Sequence, residues 1–343
     1  MSSEVPFQNL VDAFLNTEQP LDPRYFYRLS DMDEDELAQL RTSWMDIPLW
    51  RRVAILEDIA EMSEKDTLLN FVAFCCEVIK DSDATVRLLA VQTLWDYEEI
   101  QTLPLFLDLL KNDDDTQVRA AAAGALGRFV YAGELDGIPK RKKVTIEDTL
   151  LSVEKSQDAP AVRRAALESL GYSSRKEIST LIESAFASDD REWKASALCA
   201  MGRSADNRWR PTILQALKNN LPVIRCEAAR AAGELEIRSV VPILIDLLDD
   251  PDDNTRFASI WSLSQIGGAG VQPALQRILA QAVDEEEIEQ IETALDNLAF
   301  FEGEQLLPIL DLPDSNDPDD EWEIDLEVSD EIDEYPEDKE DDY

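Results

Sequence analysis

Six basic residues recur along this chain in one repeated phrase: Arg87, Arg119, Arg163, Lys194, Arg225 and Arg256. Each follows a large apolar residue or Thr. A small residue stands three positions later and an apolar or small one seven later, often followed by Gly, as in Val118-Arg119, Ala122 and Leu126-Gly127. The intervals are 32, 44, 31, 31 and 31 residues. Bidentate Arg–carboxylate pairing is the chemistry such a residue offers on a half-buried flank. Acid-rich turns (Asn112 to Asp115, Ser188 to Asp190, Asp249 to Asn254) lie just before the phrase and offer the carboxylates. The expected outcome is a ladder that aligns successive units.

Counted from each basic residue, positions −1, +3, +6 and +7 share one arc of a helix and form its packed face. The outward positions are then +1 and +5. They read Leu88/Gln92, Ala120/Gly124, Arg164/Glu168, Ala195/Cys199, Cys226/Arg230 and Phe257/Trp261. A solvated row should carry Lys, Glu and Gln, whereas this one is small in its middle and ends in two aromatics. Exposed aromatics beside Arg mark interaction surfaces, so Arg164, Arg230, Phe257 and Trp261 are candidate partner-binding residues. The competing reading packs them on one another. Segments at equivalent places in consecutive units add Tyr172, Arg175, Arg203, Arg208, Trp209 and Arg210 as a second candidate cluster on one rim of the array. Its competing role is satisfaction of helix C-terminal carbonyls.

Other chemistry is excluded by what the chain lacks. It has no histidine, so no imidazole base, Ser-His-Asp nucleophile or His-ligated metal can be built. Cys75, Cys76, Cys199 and Cys226 show no CxxC spacing and read as small buried hydrophobes in a reducing compartment. No phosphate-binding glycine loop occurs. No catalytic residue, metal site or cofactor is expected. With 73 acidic against 32 basic residues, the net charge of −41 disfavours nucleic acid and anionic membranes. No run of 18 apolar residues could span a bilayer. The first 21 residues contain neither Lys nor Arg and do not read as a secretory signal. A cytoplasmic monomer is the expectation.

The elements that must position these residues are helix pairs. Pro211, Pro242 and Pro273, again 31 apart, each open an apolar run and suit a first helical turn. Each unit therefore reads as a Pro-led helix, an acidic turn, and a second helix that bears the basic residue and is capped by an Asp of the turn. Gly127, Gly171, Gly202 and Gly233 fit the left-handed position that ends that helix. Residues 47–62 and 68–79 read as one further, diverged pair, and residues 285–301 as a last unit without Arg.

The phrase resembles HEAT repeats, in particular the short HEAT-like repeats named after phycobilisome lyases. The resemblance implies an all-α fold: a right-handed α-solenoid whose Arg-bearing helices line the concave side. The expected organisation is an N-terminal cap (1–44), a solenoid of about seven to eight helix pairs (45–312) and an acidic, disordered tail (313–343). In that tail 17 of 31 residues are Asp or Glu. The 44-residue interval marks an insertion of about thirteen residues near 131–143, ending in Lys140, Arg141, Lys142 and Lys143. Deoxyhypusine hydroxylase has a similar architecture but holds iron through His-Glu pairs, which a chain without histidine cannot supply. The expected function is an interaction scaffold or assembly factor without catalysis of its own. It would bind a protein partner on the concave face and rim. The alternative is an accessory subunit of a phycobilin-lyase-like or chaperone system that holds a cofactor-bearing protein.

Overall fold

A computed structural model describes residues 6–306 apart from 96 and 98, with side chains described as far as Phe300. The acidic tail lies outside the described residues. The chain divides into two units, 1–299 and 300–343, and the first holds nearly all of the helical array.

Two helices, α1 (Phe7–Leu15) and α2 (Glu34–Ser43), flank a 3-10 segment at Pro23–Leu29. Helices α3 (Leu49–Lys65), α4 (Val72–Val78) and α5 (Ala84–Leu94) come next. Regular pairs follow: α6 (Leu103–Asn112) with α7 (Thr116–Glu134), α8 (Lys140–Glu154) with α9 (Pro160–Leu170), and α10 (Lys176–Phe186) with α11 (Arg191–Arg203). The array continues with α12 (Arg210–Ala216) and α13 (Pro222–Glu234), α14 (Val241–Asp246) and α15 (Asp253–Ile266), and α16 (Val271–Leu279) with α17 (Glu285–Leu306). Among the described residues there is no strand.

Local sequence explains these boundaries. Asp83, Asp115, Asp190 and Asp252 accept backbone N–H bonds at the first turns of α5, α7, α11 and α15. Pro104, Pro211 and Pro242 sit in the first turns of α6, α12 and α14, where a missing N–H costs nothing.

The odd-numbered helices from α3 to α15 stack directly on one another as a B row, while each even-numbered A helix from α4 to α14 packs mainly on the B helix that follows it. Helix α3 belongs to this row, against α5. The expected pairing of residues 47–62 with 68–79 is therefore corrected: α4 pairs with α5, and the row begins one helix earlier. The apolar core runs unbroken through the stack, from Phe7 to Leu298.

The repeated glycines also need correction. Gly127, Gly202 and Gly233 lie inside helices, and Gly171 ends α9 with φ −50°, right-handed. Left-handed backbone falls instead on Asp136, Ala205 and Glu236. What requires glycine is helix approach. A Cβ on Gly171 or Gly202 would stand 2.8 Å from the backbone of Ala200 or Ala231 in the next B helix, well inside van der Waals contact. Buried serines fasten the seams on either side: Ser169 Oγ of α9 donates to Ala123 O of α7 at 2.8 Å, and Ser262 Oγ of α15 to Ala229 O of α13 at 2.7 Å. The insertion near 131–143 forms no loop domain. It lengthens α7 to 19 residues and α8 to 15, with Lys140 to Lys143 as the first turn of α8.

Candidate functional site

The repeated basic residues bridge consecutive units where the acceptor is acidic. Arg87 holds Asp113 in a bidentate pair (Nε–Oδ2 2.7 Å, Nη2–Oδ1 2.8 Å), Arg119 holds Asp158 (3.0 and 2.7 Å), and Arg225 holds Asp250 (2.7 and 2.7 Å). Arg256 reaches Glu287 at 3.0 Å. The remaining guanidinium nitrogen also works: Arg87 Nη1 donates to the carbonyls of Asp81 and Ser82, and Arg119 Nη1 to those of Asp113 and Asp114. Burial alone would raise the carboxyl of Asp113 or Asp250, yet the Arg hydrogen bonds hold both below the ordinary carboxylate range. Asp158 is lowered chiefly by Arg119 itself.

Two positions depart from this pattern. The acceptor stands six residues before the next unit's basic residue (five at Asp158), and at the two middle junctions it is Ser188 and Asn219. Arg163 instead donates to Glu154 O at 2.7 Å and lies over the Trp193 ring at 5.2 Å. Lys194, facing the Asn219 position, is half-buried with no carboxylate within 4 Å among the described residues. One rung was missed in the sequence. Arg52 of α3 pairs with Asp81, which also accepts from Trp44 Nε1 at 2.6 Å. Asp81 stands six residues before Arg87, and that spacing was the available signal.

The other face of the B row carries most of the candidate partner-binding residues. Tyr172, in the turn just after α9, lies beneath the Arg203 guanidinium at 5.1 Å and 5.4 Å from the Tyr131 ring. Burial pushes the Tyr172 hydroxyl up. Burial would also lower Arg203, but Cys199, Tyr172, Glu168 and Glu234 outweigh it and keep the guanidinium more firmly charged. Ser196 Oγ donates to Glu168 at 2.5 Å, and Arg230 pairs with Glu227 at 3.2 Å. Arg164 is half-buried on α9. Toward the C-terminal end, Trp261 remains 40% exposed and lies across Gly233, where an added Cβ would meet the ring at 2.7 Å. Beside it a groove of about 470 Å³ is walled by Phe257, Arg230, Glu234 and Glu286. On its other side a second groove, about 360 Å³, runs along Ile260, Glu289 and Thr293.

The expected rim cluster separates. Tyr172 and Arg203 belong to the face just described. Arg175 is held by Asp148 and Glu177, each at 2.6 Å, and Arg208 by Asp206 at 2.5 Å. Trp209 is only 5% exposed and packs in the core with Arg208 over it at 5.8 Å, so its ring is not a surface anchor. It ends the 3-10 turn (Asn207–Trp209) that leads into the short α12, and its ring joins the apolar core there. Arg210 is exposed.

Nothing in this arrangement supplies an activated nucleophile. Burial pushes the thiols of Cys199 up to about 12 and of Cys76 and Cys226 up to about 11, and raises Cys75 as well. Among the described residues no group of three or more Cys, Asp or Glu could hold a metal ion. No described helix is long and apolar enough to cross a membrane.

The stacked pairs, their closely apposed B row and the Arg rungs define an all-α solenoid. Residues 72–140 and 210–296 match the family model of HEAT repeats, and the repeats in these stretches are HEAT repeats. Solved structures of similar fold include the phycocyanin lyase CpcE–CpcF complex from Nostoc sp. PCC7120. That match has 20% identity over 66% of this chain and 94% of that one, with a TM-score of 0.44. Human deoxyhypusine hydroxylase in complex with glycerol has 16% identity over 86% and 96%, with a TM-score of 0.38. Kap121p bound to Ste12p has 12% identity over 89% and 39%, with a TM-score of 0.39. No curated protein matches the sequence.

Proposed function

We propose that this protein is a non-catalytic scaffold that binds a protein partner on the open face of its B row, with Phe257 and Trp261 as the anchors. One observation carries the reading. On a row whose other members, the exposed Gln92 apart, are small, half-buried or paired within the chain, a large indole is left 40% exposed between two grooves. Trp is the side chain whose truncation most often costs binding energy, because it buries much area with little loss of rotamer freedom.

A photo-crosslinking residue placed at Phe257 tests this in cells of the source organism, with Leu214, exposed on helix α12, as the control position. A discrete covalent partner is expected from position 257 and not from 214. Equal capture at both positions, or at neither, removes the proposal. With the partner in hand, Trp261→Ala is expected to weaken binding by about 2 kcal/mol or more while thermal stability stays nearly unchanged. Early melting with intact affinity would make Trp261 a packing residue instead.

A further inference from the structure

The chain repeatedly covers its own aromatic rings with guanidinium groups. Arg51 lies over Trp50 at 4.9 Å, Arg203 over Tyr172 at 5.1 Å, Arg163 over Trp193 at 5.2 Å and Arg208 over Trp209 at 5.8 Å. Trp261 carries no such cation among the described residues, although it is the exposed ring between two grooves. Around it stand Glu234, Glu286 and Glu289, all exposed and none within 4 Å of a basic side chain among the described residues. The nearby cations are already committed. Arg230 pairs with Glu227 at 3.2 Å, Arg256 with Glu287 and Asp253, and Lys65 with Glu61 at 2.5 Å, though Lys65 also feels the Glu289 charge.

We propose that the Trp261 groove receives a basic segment of the protein partner, with an Arg or Lys side chain laid on the indole and its charge met by Glu234, Glu286 and Glu289. This inference rests on the scaffold reading above and names the chemistry of its occupant. A cation over an indole face is attracted by the ring quadrupole, most strongly when water is excluded. The aliphatic stem of Lys or Arg packs against Phe257 while its head remains with the carboxylates. The alternatives fit worse. An acidic segment would bring like charges together, and a wholly apolar one would cover three carboxylates without pairing them.

Panning a display library of random twelve-residue peptides on the full chain at physiological salt tests the proposal whatever the partner is. The controls are chosen because a chain of net charge −41 attracts any cationic peptide weakly. Enriched peptides are expected to carry Arg or Lys beside aliphatic residues. Their affinity is expected to fall about tenfold or more with Trp261→Ala and also with the paired, surface-exposed changes Glu286→Gln and Glu289→Gln. Trp50→Ala, at a ring already covered by Arg51, should leave affinity unchanged. Basic peptides that bind the Trp261→Ala chain equally well overturn the proposal as mere charge attraction, and an empty selection counts against it too. Peptides without basic residues that still require Trp261 overturn the basic occupant but leave the scaffold surface standing. Neutral peptides indifferent to Trp261 overturn both.

Discussion

The solenoid is joined in two different ways along its length. At both ends the rungs are charged: Arg52–Asp81, Arg87–Asp113 and Arg119–Asp158 before the middle, Arg225–Asp250 and Arg256–Glu287 after it. Across the two middle junctions, α9 to α11 and α11 to α13, the acceptor positions are Ser188 and Asn219, and no bidentate pair forms. There the helices rely on the approach of glycine to backbone alone, at Gly171–Ala200 and Gly202–Ala231, an approach that Gly127–Ser169 and Gly233–Ser262 repeat at charged junctions. The difference separates two jobs that one repeated phrase serves. Close packing of small residues sets the helix spacing everywhere, whereas the ion pair fixes how one unit is turned on the next. Stability in such arrays is a sum of units and nearest-neighbour seams, so each seam can be challenged by itself.

The largest effect is expected where a charged rung is half removed. Asp250→Ala leaves Arg225, whose side chain is 12% exposed, without its carboxylate. It also deletes the acceptor for the Asp252 N–H at 3.0 Å. A loss of about 3 kcal/mol in urea unfolding is expected, because an unpaired, largely buried charge remains. Lys194→Ala, at a junction with no pair to break, should cost under about 0.5 kcal/mol. Equal costs would show that the rungs do not distinguish the two regions.

Next comes the glycine seam. Gly202→Ala adds a methyl 2.8 Å from the Ala231 Cα, which as backbone cannot swing away. Overpacking of about 2 kcal/mol should outweigh the helix-propensity gain of about 1 kcal/mol. Gly124→Ala meets only the tip of the Trp95 ring at 3.2 Å and should be near neutral. If both variants behave alike, glycine is not required by helix approach in the middle of the array.

The fold was legible because it is periodic. Arg at fixed intervals, capping Asp and first-turn Pro each encode one local decision, and repetition removed the ambiguity of any single instance. What periodicity could not convey was distance. Gly202 looked like a helix end because glycine is common there, and only the separation of α11 from α13 shows that it excludes a Cβ. Arg52 escaped notice because its helix lacks the small residue three positions later, where Ile55 stands. At the candidate site, Phe257 and Trp261 were legible from their outward register on α15. Trp209 was misplaced because adjacency in sequence to Arg208 and Arg210 suggested a surface, while the short α12 turns that ring into the core. Glu286 and Glu289 were invisible as groove residues: no pattern in an acid-rich segment tells which carboxylates face an aromatic.

Acid should affect the two regions unequally. Asp113, Asp158 and Asp250 have pKa values lowered below the ordinary carboxylate range, net of burial, by their Arg partners. A depressed carboxylate stabilises fully above the unfolded value of about 4 and loses that contribution as pH falls through the folded value. Glu227, near the middle, is raised by burial, so its sign is opposite: the cost of ionising it appears as pH rises above the ordinary glutamate range. Hydrogen exchange between pH 5 and pH 3 is therefore expected to quicken first in the helices flanking Asp113, Asp158 and Asp250. Asp250→Asn should flatten the urea midpoint against pH over that span. Uniform quickening along the array would contradict the assignment.

The smallest effect belongs to the attempt to build a missing rung. Asn219 occupies the place of Asp113 and Asp250, and its backbone carbonyl already accepts from Arg225 Nη1 at 2.9 Å, as the Asp81 and Asp113 carbonyls accept from Arg87 and Arg119. The backbone for an acceptor is therefore in place, and only the two side chains differ. Lys194→Arg with Asn219→Asp should restore a bidentate pair between α11 and the turn before α13. A partly exposed pair of good geometry is worth up to about 1 kcal/mol, and each single change should give less, so a double-mutant cycle should show positive coupling. Slower hydrogen exchange confined to α11 and α13 would place the gain at that seam. No coupling between the two changes would mean that the middle units are already turned away from the geometry the charged rungs impose, and the two regions would then differ in shape as well as in chemistry.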